Sequence, residues 1–187
     1  MSSTIPIACT ITYAWSPDMD YDFMNALRTE HYPPELLFNP AHVGLFTRVA
    51  VPPARLEQAK ADIKQVAALH TRFSIKFQSN VRLFGKCVVL RVNPNHAGHI
   101  FSIRNVLNER WAHAGFVDPQ ERSHTSYQPH VTIHARVSKQ EAKKLSPIIA
   151  NAFESRVVCV SGNITGINLW EYKEGQPWAL IEHFPFA

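Results

Sequence analysis

The sequence predicts an α+β fold of two similarly ordered halves facing a central cleft. Three observations carry this expectation. The segment HVGLFTRV from His42 to Val49 is echoed by HVTIHARV from His130 to Val137, the two sharing the His, the next Val, an aliphatic residue at Leu45 and Ile133, and a closing Arg-Val. The order strand, helix, His strand, helix, strands reads twice along the chain. The two histidines stand 88 residues apart, which suits one per lobe with a ligand-sized cleft between lobes.

Taken in order, Ile5 to Tyr13 is a β-branched, apolar run and the expected first strand. Asp18 or Asp20 can cap a helix from Tyr21 to His31 that Pro33 and Pro34 end. The first histidine strand is expected over Ala41 to Val49. Pro52-Pro53 starts a second helix, Ala54 to about His70, with Leu56, Ile63, Val66, Ala67 and Leu69 at helical intervals. The middle reads as strands over Phe73 to Gln78, Val81 to Phe84 and Lys86 to Val92, with Gly85 at a hairpin or bulge. Asn93-Pro94-Asn95 opens a long helix to about Ala114, which Gly115 closes. The polar stretch from Asp118 to Gln128 is either a lid or specificity loop or a plain surface connection. Ser138 caps a fourth helix from about Lys139 to Glu154, with Pro147 a candidate kink. Arg156 to Val160, Ile164 to Tyr172 and Trp178 to Phe184 are the expected closing strands.

With 187 residues the chain is long enough to bury a core as one bilobal domain, its first half about 1–85 and its second about 86–187, with strands open to exchange between lobes. The formal charge of +4 permits an anionic partner without demanding one, because no block of five basic residues occurs. The N-terminus reads as a first strand, not a signal peptide, and no apolar run reaches membrane-span length. Cys9, Cys87 and Cys159 lie in apolar, strand-like runs with no paired spacing. They are expected to be buried, reduced thiols, which points to the cytoplasm or nucleus and away from a zinc site.

On regular strands, side chains alternate faces, so His42, Gly44, Phe46 and Arg48 would share one side, as would His130, Thr132, His134 and Arg136. Two imidazoles converging on a cleft suit metal-free acid/base chemistry on a phosphodiester. One, neutral, takes a proton from the attacking water or hydroxyl; the other, protonated, gives one to the leaving oxygen. The Thr132 hydroxyl is placed to bond a non-bridging phosphate oxygen. A metal reading of His130 and His134 is poor, because i,i+4 residues on a strand sit about 13 Å apart. His96 and His99 lack an obvious third ligand, and Lys139, Lys143 and Lys144 read as a solvated helix face. Trp15, Trp170, Tyr172 and Trp178 are read mainly as core, with base stacking the alternative role.

The paired histidine strands, each with Pro within two residues before it (Pro40 and Pro129), together with HYPPELLFNPAH, PHVTI and LWEYKEGQPWALIEHFPF, resemble the 2H phosphoesterases. The resemblance is to their 2′-5′ RNA ligase-like, cyclic phosphodiesterase branch and covers nearly the whole chain. It implies two pseudo-symmetric antiparallel sheets with outer helices and a cleft holding both motifs. It further implies hydrolysis, without metal or cofactor, of a 2′,3′-cyclic phosphate or related 2′-5′ linkage on a nucleotide or RNA 3′-end. Carried onto this chain, His42 and His130 become the acid/base pair and Thr132 a phosphate ligand. Position alone adds Gly44, and Tyr127 just before the second motif, as substrate-binding candidates, while His134 and Arg136 either add donors to the cleft or lie beyond its rim. A monomer with no protein partner and no membrane contact is expected. The same site could run the reverse ligation, but hydrolysis is expected in water.

The chain departs from the family pattern at Gly44, where the first motif carries Thr or Ser. Thr47, an odd number of residues away, would face the other side of a regular strand. Three outcomes stay open: a slower enzyme with water or an amide in the gap, a site adapted to a bulkier substrate, or a nucleotide- or RNA-binding protein without turnover.

Overall fold

The computed structural model describes residues 5–119, 121, 127–156 and 159–187. The elements are β1 (Ile7–Trp15), α1 (Met19–His31), β2 (Gly44–Val51), α2 (Leu56–Ala68), β3 (Phe73–Phe84), β4 (Cys87–Val92), α3 (Gly98–Ala114), β5 (His130–His134), α4 (Lys139–Glu154), β6 (Ser161–Glu171) and β7 (Ala179–Pro185). The strand–helix–strand–helix–strand order thus occurs twice, as the sequence predicts, with β7 appended.

Local chemistry sets the ends of these elements. The Asp18 carboxylate accepts from the amides of Asp20 and Tyr21 and starts α1. Tyr32 stops it in an extended conformation, which a residue before proline favours. Gly115, at φ 73°, adopts the left-handed geometry that closes α3. Ser138 and Glu141 form a reciprocal capping box at the start of α4, which continues through Pro147.

All strand pairs are antiparallel, in the order β2-β1-β6-β3-β4-β5, with β7 also on β6. The long strand β3 joins two sheets. Its first residues, Phe73–Lys76, pair with β6, and its later ones, from Phe77, pair with β4 across an irregularity between Phe77 and Val81. Two expected strands are therefore one. Helix α1 packs on β5, α4 on β3, and α2 on β6, β7 and α3. The first histidine's lobe and the second's are tied together by α1 as well as by β3.

Two expectations change here. In β2, five residue steps from Gly44 to Val49 oppose three in β1 from Thr12 to Cys9, so the strand is bulged. Alternation fails within it: Phe46, expected beside His42, is 1% exposed and lies against Trp111. In β5 burial alternates, with Val131 and Ile133 buried and His130, Thr132 and His134 half-buried, but two steps of β5 from Thr132 to His134 oppose one in β4 from Val89 to Val88, so only His130 and Thr132 keep the shared face that the sequence predicts. Among the cysteines, Cys9 is buried and Cys87 half-buried, but Cys159 is exposed and lies outside any strand. The strand expected over Arg156 to Val160 includes residues 157–158, outside the described residues, and most of the expected lid, 120 and 122–126, lies outside them too. Among the described residues no helix is long and apolar enough to cross a membrane.

Candidate active site

Each histidine is held by the same local device. The Nδ1–H of His42 donates to the Pro40 carbonyl at 2.8 Å, and that of His130 to the Gln128 carbonyl at 2.6 Å, each two residues upstream. A carbonyl oxygen only accepts, so the proton of each neutral ring is on Nδ1 and Nε2 keeps its lone pair. The rings are further fixed by aromatic neighbours, His42 by Trp178 at 4.9 Å and His130 by Phe84 at 5.4 Å between centroids.

Burial pushes His42 down to about 4, and the charges of Arg28 and His130 act in the same direction against the Pro40 hydrogen bond. His130 is also lowered, first by burial, with the charge of Arg91 adding and the Gln128 bond opposing. The charge of His130 adds a smaller push in the same direction at His42.

A buried cation that sequence reading did not single out holds the two motifs in register. Arg28, 3% exposed on α1, donates from Nη1 to the Thr132 carbonyl and from Nη2 to the Asn39 carbonyl at 2.9 Å. One guanidinium therefore spans the second motif and the loop that leads into the first. Asn25, also on α1, accepts from the Ala41 amide at 2.6 Å, while the Asn39 side chain accepts from the Trp178 amide at 3.0 Å. The signal was present in the sequence: the buried residues of α1 are Met24, Leu27 and Arg28, so a charge occupies the helix's apolar stripe.

His42, Thr132, Arg136, Arg28 and Trp178 line one hollow of about 410 Å³. His130 stands on the same face of β5 as Thr132. A larger hollow of about 800 Å³ shares Trp178 but contains neither histidine. The two hollows share Tyr172 and Trp178, and the first is the one lined by His42 and Thr132.

The remaining candidates are placed differently. Tyr127 donates its hydroxyl to the Gly44 carbonyl at 2.8 Å, so this group serves the backbone of β2. Arg136, exposed and at φ 57°, lies just past β5 at the edge of the histidine hollow. His134 ends β5 opposite Val88. Of the four aromatics, only Trp15 is core, stacked on Phe77 at 5.3 Å. Trp170 and Trp178 are half-buried and Tyr172 exposed, all three lining hollows, one of which Trp15 also borders, which corrects the expectation that most would pack inside.

A sequence model of the 2′-5′ RNA ligase superfamily matches residues 16–176, and the chain belongs to that family, the 2H phosphoesterases. Among solved structures the fold is similar to that of a protein described as a phosphoesterase, at TM-score 0.66 and 14% identity over 97% of this chain and 99% of that one. It is likewise similar to E. coli LigT complexed with 3′-AMP, at 0.62 and 14% over 97% and 99%, and to Kluyveromyces marxianus Usb1, at 0.54 and 9% over 97% and 99%. At these identities the likeness is one of fold. No curated protein matches the sequence.

Proposed function

We propose that the protein is a metal-independent phosphodiesterase that hydrolyses a 2′,3′-cyclic phosphate, or a related cyclic or 2′-5′ phosphodiester, on a nucleotide or RNA 3′-end. The observation that carries this reading is the matched pair of imidazoles, each with Nδ1–H committed to a carbonyl and Nε2 left for proton transfer. His42, held neutral by burial and by the neighbouring Arg28 charge, acts as the base and takes a proton from water. The water oxygen bonds to phosphorus, the bond from phosphorus to a ribose oxygen breaks, and His130 protonates that oxygen. Thr132 donates its hydroxyl to a non-bridging oxygen. LigT, the relative in fold, is described with 3′-AMP, a ligand class consistent with this substrate.

Gly44 supports a second reading, a nucleotide- or RNA-binding protein of the same fold. Product formation from 2′,3′-cyclic nucleotides and from a short RNA with a cyclic end, measured in EDTA, separates the two. Turnover in EDTA supports the proposal, turnover abolished by EDTA points to a metallohydrolase, and tight nucleotide binding with no product supports the binding protein.

The fold does not force glycine at 44. A Cβ there would meet only Thr47 Cγ2, at 3.6 Å, and the backbone lies outside the positive-φ region. Gly44→Thr is therefore expected to fold with an unchanged or higher Tm and to raise kcat/KM on a small cyclic nucleotide up to about tenfold, through an added donor to phosphate. Slower hydrolysis of every substrate by this variant would show that substrate itself occupies the space.

A further inference from the structure

The bulge in β2 brings Thr47 to the place from which a regular strand would exclude it. Gly44 pairs with Thr12, whose hydroxyl accepts from the Trp170 indole at 2.9 Å, so position 44 faces the side of the sheet that carries Trp170. The methyl of Thr47 lies 3.6 Å from where a Cβ at 44 would be, and Thr47 lines the hollow that shares Trp178 with the histidine site. Its polar groups are already engaged by an anion. The Thr47 amide donates to both carboxylate oxygens of Glu121 at 3.0 Å, and its hydroxyl donates to Oε1 of the same group. An amide and a hydroxyl converging on one carboxylate are the donors that a phosphate oxygen would use.

We infer that Thr47 supplies, through its amide and hydroxyl, the phosphate-binding group missing at Gly44, and that the Glu121 carboxylate occupies this group until substrate phosphate displaces it. The inference rests on the phosphodiesterase reading, since it names the second phosphate ligand of that site. Glu121 is anchored independently of its side chain, because Arg104 Nη2 donates to its carbonyl. Arg104 in turn lies over the rings of Tyr127 at 4.3 Å and Phe46 at 4.7 Å. Changing the carboxylate therefore leaves a backbone tie in place.

The test is binding of inorganic phosphate, by calorimetry at fixed ionic strength, to the wild type, Glu121→Gln, Glu121→Ala, Thr47→Val and the Thr47→Val/Glu121→Gln double variant. Glu154→Gln, a change of the same charge at an exposed position on α4, is the control. Removing the competing carboxylate is expected to tighten phosphate on the order of tenfold, as loss of a charge-assisted competitor should. Thr47→Val is expected to weaken binding and to erase the gain in the double variant. Phosphate bound no more tightly by either Glu121 variant than by the wild type, an equal gain in Glu154→Gln, or a gain that survives Thr47→Val would each overturn the inference. Failure of the phosphodiesterase reading appears elsewhere, as absence of product from the wild type, whereas phosphate binding is read without turnover.

Discussion

On the proposed mechanism, alanine at His42 or at His130 is expected to lower kcat/KM on a 2′,3′-cyclic nucleotide by about 10²- to 10⁴-fold, the range for loss of a positioned acid or base. The double variant falls little further, because the two rings act on one proton-transfer path and neither is useful without the other. Each ring is held by a carbonyl and one aromatic neighbour and is only half-buried, so removal should leave the fold intact by circular dichroism. Steady-state kinetics on the two single variants and the double one check this. Full additivity of the losses would mean that the histidines work in separate steps.

Arg28→Met produces the second large effect. The change strands two carbonyls, of Thr132 and Asn39, that one buried guanidinium now satisfies. Both carbonyls belong to half-buried residues on the wall of the hollow, where water can replace part of what is lost, so a stability loss of about 1–3 kcal/mol is expected in denaturant unfolding. The rate should fall about 10²-fold as well, since the guanidinium sets His42 against Thr132 and small misplacements are costly. Arg28 is here a positioning residue, and one readout separates that role from bulk destabilisation. Its charge is among the forces that hold His42 low, so the acid limb of the kcat/KM profile moves to higher pH in Arg28→Met and stays in place in Arg28→Lys. A Met variant with wild-type kinetics would remove Arg28 from the account.

The second motif was legible from sequence because burial alternates along it, with His130 and Thr132 half-buried and Val131 and Ile133 buried; the irregularity past Thr132, which sets His134 opposite Val88, was not. The first was legible only in part. Its histidine precedes the strand, and the extra residues in β2 move Phe46 into the core and Thr47 beside Gly44, a change that no local pattern announces. Helix ends were readable because their causes are local, as at Asp18, Gly115 and Ser138. The insertion of β6 between β1 and β3 was not, since it depends on residues some 150 positions apart, such as Ile11 and Leu169. Glu121 and Arg28 escaped for the same reason. Their partners lie 74 and 104 residues away, at Thr47 and Thr132, and a lone Glu or Arg carries no signal of such a contact beyond Arg28's place on an apolar stripe.

The central claim, that two histidines do the chemistry without metal, is tested most directly by the pH dependence of kcat/KM for 2′,3′-cyclic nucleotide hydrolysis in EDTA. His42 must be unprotonated to take a proton, so activity falls as pH drops through about 4. His130 must be protonated to give one, and burial holds it below the ordinary histidine value of 6.5, so activity also falls as pH rises through the range beneath that value. The account therefore predicts a bell with its maximum on the acid side of neutrality and an alkaline limb that falls about tenfold per pH unit. A profile that stays flat or climbs from pH 5 to 9, or activity that vanishes with the chelator, would contradict it.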